Sequence, residues 1–269
     1  MILHSGEVDL FYEVCGKGPD VVLLHPYPCD HTFWLPVVPF LESRFRLILP
    51  DLRGLGQSGL AHPENGEPVT TMAQLATDAL ALCDALGIGR TAFAGCSVGG
   101  YALFELWRRA RERVKALAFF DTRAGADGEE GIQGRLQAAA DVLERGPEWA
   151  IGQMMPRMVS AYTLGARPDV VEMARNTMRR ATAPGMAALQ RGMASRADSL
   201  ATLSSITVPS LVLGGEDDLP SPVAELERIA RGIPGAELKI VSRAGHTAAL
   251  EHPEEAGPVL RDFLERHAR

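Results

Sequence analysis

Lysine is nearly missing from this chain. It occurs only at 17, 115 and 239 among 269 residues, and arginine carries the rest of the basic charge. That is a compositional bias and carries no functional weight. A basic surplus is missing too: the formal net charge is -7, which argues against a nucleic-acid partner, since such proteins present basic faces. Paired cysteines are absent. Cys15, Cys29, Cys83 and Cys96 are scattered with no C-x-x-C spacing, so neither a metal nor a redox site is expected, and a reduced intracellular protein is. No hydrophobic run is long enough to span a bilayer. The start, Met1-Ile2-Leu3-His4-Ser5-Gly6-Glu7, turns polar at once. Neither a signal peptide nor a membrane partner is expected, and cytoplasm is the expected compartment. Linker-like, low-complexity and repeated segments are also missing. No stripe or heptad speaks to oligomeric state.

At 46% hydrophobic and 23% charged residues, the composition is ordinary for a globular protein. The length is high for one domain but not for an α/β sheet protein. Apolar segments predict strands at 2–5, 8–15, 20–25, 45–50, 91–96, 114–120, 209–213 and 237–241. Helical patterns cover about 71–87, 98–111 and 254–267. Continuous apolar strands alternating with helices imply a mostly parallel sheet with helices on both faces. From 127 to 199 the rhythm stops. That stretch is helical in pattern, with breaks expected at Gly146-Pro147, Pro156, Pro168 and Pro184-Gly185. It holds Met154, Met155, Met158, Met173, Met178, Met186 and Met193. We read 127–199 as a helical cap inserted in a core made of 1–126 and 200–269.

Ligands of open α/β sheets bind at the carboxyl ends of the strands. His25, Asp51, Ser97, Asp121, Asp218 and His246 fall at or just beyond such ends. Ser97 stands out. A short apolar strand runs into Gly95-Cys96-Ser97-Val98-Gly99, and a helix follows. This is Gly-x-Ser-x-Gly in the strand–turn–helix setting that places a serine hydroxyl at a sharp, exposed turn. Gly95 and Gly99 supply the small neighbours that such a turn needs.

A nucleophilic serine needs a base within hydrogen-bond reach and a carboxylate to orient that base. His246 follows the last strand in a loop able to reach over the sheet. His25 suits a structural place better, and His252, before Pro253, a capping one. Gly215-x-x-Asp218, with Pro222 four residues on, favours Asp218 as the acid. Asp121 and Asp217 remain alternatives. The order Ser97, Asp218, His246 is the order expected with this elbow. An oxyanion hole needs two backbone amides. Val98 N–H, at a helix start, is one. The turn His25-Pro26-Tyr27-Pro28 offers the other, and Tyr27 alone can donate between His25 and Cys29, because proline has no N–H.

Gly54-Leu55-Gly56-Gln57-Ser58-Gly59 fits G-x-G-x-x-G. A dinucleotide site would need a helix to open at once, whereas a loop sequence follows. Arg123, next but one to Asp121, could meet a substrate carboxylate, though such an arginine more often pairs with an acid of its own chain. Met154, Met155 and Met158, with Phe33 and Trp34 after the oxyanion loop, are candidate pocket lining. They suggest an apolar acyl or alcohol site.

Taken together, Leu24-His25-Pro26-Tyr27-Pro28, Asp51-Leu52-Arg53-Gly54-Leu55-Gly56-Gln57-Ser58, Gly95-Cys96-Ser97-Val98-Gly99-Gly100, Gly215-Glu216-Asp217-Asp218 and Gly245-His246 resemble the α/β-hydrolase fold family. The likeness is greatest to its small esterases and 3-oxoadipate enol-lactonase-like members. It covers nearly the whole chain outside the cap. The resemblance implies Ser97, Asp218 and His246 as the triad and a helical cap over the site. Pro26 departs from it, since the family usually has Gly after this His. That changes the flexibility of the turn but leaves the Tyr27 amide.

The expected activity is hydrolysis of carboxylic esters of small, largely apolar substrates through an acyl-enzyme, with neither cofactor nor metal. An enol-lactone substrate is the nearest alternative. Perhydrolysis and carbon–carbon bond hydrolysis stay open, because fold does not fix substrate. A ligand-binding receptor that keeps the triad is the alternative from another class. Ser97 at the elbow excludes a nucleophilic aspartate.

Overall fold

A computed structural model describes residues 1–268. Eight strands form one sheet: β1 (Ile2–Ser5), β2 (Val8–Gly16), β3 (Asp20–Leu24), β4 (Arg46–Pro50), β5 (Thr91–Cys96), β6 (Val114–Phe120), β7 (Ser210–Gly215) and β8 (Glu237–Val241). Their order is β1-β2-β4-β3-β5-β6-β7-β8. β1 pairs with β2, and β2 with β4, antiparallel; every other pair is parallel. The expected strands are all present, with ends moved by a residue or two. Strands β3 to β7 are nearly all buried, as a sheet covered on both faces requires, while the edge strand β8 buries only Val241.

Alternation along each strand sends side chains to opposite faces. Val22, Leu24, Ile48, Phe93, Leu117, Phe119 and Val212 point to one layer. There α2 (Met72–Ala85), α3 (Val98–Ala110) and α10 (Val223–Gly232) pack. Val21, Leu23, Leu47, Ala92, Ala94, Phe120 and Leu213 point to the other, covered by α1 (Val38–Leu41), α11 (Ala248–Glu251) and α12 (Pro253–His267). α2 starts where its sequence says it should. Gln74 N–H donates to Thr71 Oγ1 at 3.2 Å and Thr71 N–H to Gln74 Oε1 at 2.8 Å, a capping box that satisfies two end amides. α10 was not read from the sequence, although its buried Leu226 and Ile229 keep helical spacing.

Between β6 and β7 the chain is wholly helical: α4 (Glu129–Arg145), α5 (Pro147–Met158), α6 (Ala161–Ala166), α7 (Pro168–Asn176), α8 (Ala183–Ala194) and α9 (Leu200–Leu203). Gly146-Pro147 separates α4 from α5 and Pro168 opens α7, as expected. Pro184 falls in the first turn of α8, where its missing N–H is harmless. Pro156 does not break its helix: α5 runs through it to Met158. One buried carboxylate ties this segment together. Asp127 accepts from Arg123 Nη2 at 2.7 Å, from Arg196 Nη2 at 3.1 Å, and from Arg135 Nε. Those arginines come from the end of β6, the residues after α8, and α4.

Burial alone would disfavour the Asp127 anion, but the Arg196 and Arg135 guanidiniums outweigh it and hold the carboxyl at about 2. An unfolded aspartate titrates near 3.9. The pair therefore stabilises the fold fully above about pH 4, and that stability is lost as the pH falls toward 2. Asp127→Asn is expected to flatten this part of the stability-against-pH curve, measured by urea unfolding from pH 5 to 2.5. A slope equal to that of the parent contradicts the assignment.

Candidate active site

Ser97 sits between β5 and α3 at φ 50°, ψ -110°, a region that non-glycine residues rarely occupy. Close backbone packing leaves it little choice. A Cβ on Gly95 would fall 2.5 Å from the Gly99 carbonyl, and one on Gly99 would fall 2.4 Å from Leu24 O. Ser97 N–H donates to Phe120 O at 2.9 Å, and Thr122 Oγ1 donates to Ser97 O at 2.8 Å. The turn is thus clamped from β3 on one side and from the end of β6 on the other.

Three side chains from distant parts of the chain meet above this turn. Ser97 Oγ lies 2.8 Å from His246 Nε2, and His246 Nδ1 lies 2.9 Å from both Asp218 oxygens. A carboxylate can only accept, so Nδ1 carries the proton and Nε2 is free to accept from the serine hydroxyl. Asp218 Oδ1 also takes the Ser221 N–H at 2.8 Å. All three residues are buried.

Asp121, the alternative acid, is turned to backbone. Its Oδ1 accepts from Gly215 N–H at 2.9 Å and its Oδ2 from Ala248 N–H at 3.2 Å. Complete burial, then the nearby Asp218 charge, pushes its carboxyl well above the usual range. It fastens the end of β7, which Asp218 follows, to the start of α11, which His246 precedes. Asp217, the other alternative, uses its backbone N–H to bond Ala244 O at 2.8 Å. His25 is fully buried: Nδ1 donates to Pro26 O and Nε2 accepts from Leu52 N–H, each at 2.9 Å. His252 stands at the N-cap position of α12 without a side-chain cap bond, and its Nδ1 meets Glu254 at 3.2 Å. Cys96, beside the serine, is pushed up by burial and stays a thiol, so it offers no competing nucleophile.

One anchoring residue escaped the sequence reading. Glu251 is completely buried. Its Oε1 accepts from Gly245 N–H at 2.7 Å and Thr247 Oγ1 at 3.1 Å; its Oε2 accepts from Ser160 N–H at 2.8 Å and Thr163 Oγ1 at 2.6 Å. One carboxylate therefore fixes the His246 loop to the helices α5 and α6. The available signal was an acid closing the apolar run Ala248-Ala249-Leu250.

Two backbone amides, from different elements, are the expected oxyanion donors. Val98 is the first residue of α3, so no carbonyl one turn earlier can take its N–H. In the His25–Cys29 turn, Cys29 N–H is already bonded to Pro26 O at 3.0 Å. Tyr27 N–H is left as the donor of that turn.

The family model described as alpha/beta hydrolase fold matches residues 19–253. The chain belongs to the α/β-hydrolase fold family. It is similar in structure to an esterase from Thermogutta terrifontis in a malate-bound form, at 37% identity and TM-score 0.91, covering 97% of this chain and 94% of that one. It also resembles the enol-lactonase from Burkholderia xenovorans LB400, at 27% identity and TM-score 0.89, covering 98% and 100%. In sequence it is 27% identical to a pimeloyl-[acyl-carrier protein] methyl ester esterase from Aeromonas hydrophila, over 93% of this chain and 96% of that protein. Among the described residues no helix of this hydrolase is long and apolar enough to cross a membrane.

A cavity of about 750 Å³ opens on Ser97 and His246. Its lining departs from the apolar one expected. Met154, Met158 and Met193 do face it, but so do Arg123, Asp127, Arg135, Gln190 and Glu225. Phe33, Trp34 and Met155 are not part of it. Trp34 packs edge-on against Phe33 and Phe120, and Met155 lies in the same core layer. Met178 and Met186 are core as well, and Met173 is exposed. The period-3.6 pattern that made the segment helical could not separate the face on the cavity from the face on the sheet.

Two further motifs have structural explanations. After Gly54–Gly59 no helix begins until Met72, so no helix N-terminus stands at that loop. Asp30, His31 and Asp51 lie close enough together to suggest a cation site, yet their atoms are already engaged. Asp30 bonds Thr32 and Arg180, Asp51 takes the His31 and Gln57 amides, and His31 Nδ1 meets Asp51 at 2.7 Å. Burial would lower His31, but Asp51 beside it raises it, which works against metal ligation.

Gly99→Ala forces a Cβ onto the Leu24 carbonyl, and overpacking of this kind costs about 1–3 kcal/mol. A lower denaturant midpoint is the expected result; an unchanged midpoint would contradict the close approach.

Proposed function

We propose that this hydrolase cleaves carboxylic esters through an acyl-enzyme on Ser97. The unbroken hydrogen-bond chain from Ser97 Oγ through His246 to Asp218 carries the reading. In this mechanism His246 Nε2 removes the Ser97 proton as Oγ attacks the ester carbonyl. Asp218 holds the imidazole in the needed tautomer and stabilises its cation. The N–H groups of Tyr27 and Val98 receive the negative charge on the carbonyl oxygen, with the α3 dipole behind Val98. His246 returns the proton to the departing alcohol. Water then attacks the acyl-enzyme along the same path and frees the acid.

Residues 127–199 act as a cap in this reading. They bring Met154, Met158, Arg135 and Gln190 to the cavity that Ser97 shares with the core, and Glu251 ties them to the His246 loop. Likeness to an enol-lactonase supports a cyclic ester as the second reading. The chemistry at Ser97 is then the same, and the leaving alcohol stays attached to the acyl group.

Ser97→Ala is expected to lower kcat on a short p-nitrophenyl ester by at least about a thousandfold, because nucleophile and base act as a unit. Near-parental turnover would remove Ser97 from the role, and a ligand-binding protein would then fit better. Asp218→Asn is expected to cost about 10³–10⁴ in kcat, while Asp121→Asn should mainly lower the unfolding midpoint. The reverse ranking in kcat would make Asp121 the acid.

A further inference from the structure

The cavity beside Ser97 holds more positive charge than its own acids need. Three guanidinium groups converge on the single carboxylate of Asp127. Arg196 alone would satisfy it. Its side chain is only 4% exposed, it reaches both Asp127 oxygens and bonds Gly125 O at 2.7 Å, and it lies over the Tyr101 ring at 4.4 Å. Arg123 and Arg135 are surplus to that pairing. Both line the cavity, and their side chains keep 31% and 18% exposure.

The remaining partners of these two arginines are weak. Arg123 Nε reaches the Tyr101 hydroxyl at 3.5 Å. Arg135 Nη1 reaches Gln190 Oε1 at 3.2 Å and Met193 Sδ at 3.3 Å. A thioether is a poor acceptor for a guanidinium N–H. Arg157 lines the same cavity from α5 and has no hydrogen bond or ion pair among the described residues. Against these stand Asp127, already held by three arginines, and Glu225, which pairs with Arg228 at 3.2 Å. In a chain of net charge -7, this is a local reversal of sign, placed where substrate must lie. A guanidinium fork matches a carboxylate with two parallel N–H donors. Met154, Met158 and Met193 in the same lining suit a short methylene chain.

We propose that Arg123 and Arg135, with Arg157 beside them, form an anion subsite that selects esters carrying a free carboxylate at the end remote from the scissile bond. Half-esters of short dicarboxylic acids are the class described. The proposal rests on Ser97 acting as an ester hydrolase. A dissolved anion entering this subsite displaces the weak contacts to Tyr101 and Met193 and leaves the Arg196–Asp127 pair intact.

The test compares monoethyl succinate, glutarate and adipate with the matching neutral amide-esters, in which only the charge differs. The parent protein is expected to favour at least one acid over its amide by tenfold or more in kcat/KM, and added salt should shrink that ratio. Arg123→Gln and Arg135→Gln should each lower the ratio at least fivefold, mainly through KM. Ratios near one for all three acids, or an equal fall on acid and amide in both variants, overturn the subsite and leave the hydrolase reading standing. If p-nitrophenyl acetate is not hydrolysed either, the hydrolase reading itself fails. Calorimetric titration of the parent with adipate and with adipamide then decides the subsite. Saturable heat with adipate alone supports it, and no difference between the two overturns it. The same titration decides the matter if either arginine variant does not fold.

Discussion

Backbone excluded volume at the end of β5 governs the rest of the site. Gly95, Gly99 and Leu24 approach so closely that no side chain fits between them, and the chain can turn from strand to helix only by passing through a left-handed conformation at Ser97. That conformation brings Oγ to 2.8 Å from His246 Nε2 and starts α3 at the very next residue. Strain at a functional residue persists only where surrounding structure fixes it. Here the bonds to Phe120 O and from Thr122 fix it from the neighbouring strand. The geometry at Ser97 is therefore a property of three parallel strands and not of one loop.

Three buried acids near that turn differ only in what surrounds them. Asp218 faces an imidazole and can support a positive charge on it. Asp121 faces two backbone amides, and burial favours its neutral form. Glu251 accepts from four groups and joins the His246 loop to the helices between β6 and β7. A buried carboxylate is costly unless its lone pairs are met, and each of these is met in a different way. The Gly215-x-x-Asp218 spacing favours Asp218 but leaves Asp121 open, since both follow strands of the same sheet. Glu251 drew no notice, because its partners lie up to ninety-one residues away.

The cavity carries the same lesson about charge. Methionine spacing promised an apolar site, and three methionines do line it. Arg123 pairs with an acid of its own chain, Asp127. What spacing could not foresee is that Arg135 and Arg196 would share the same acid, leaving positive charge over. Such a surplus exists only when residues from three segments are folded onto one another. Phe33 and Trp34 went the other way. Their place after the oxyanion loop suggested the pocket, but the short turn around them directs both rings into the layer beneath the sheet.

The eight strands, the helices α2, α3 and α12, the serine at the elbow, and the Tyr27 amide between two prolines are legible in the residues alone. These follow from local rules: alternating burial, caps, and which residues possess an N–H or a Cβ. Packing in three dimensions is what puts Asp218, and not Asp121, against His246, separates the methionines of the cavity from those of the core, and gathers three arginines around Asp127. Those outcomes depend on distances of about 3 Å between residues far apart in the chain. No periodicity within one segment encodes such a distance, because it is set by how the sheet and its covering helices pack.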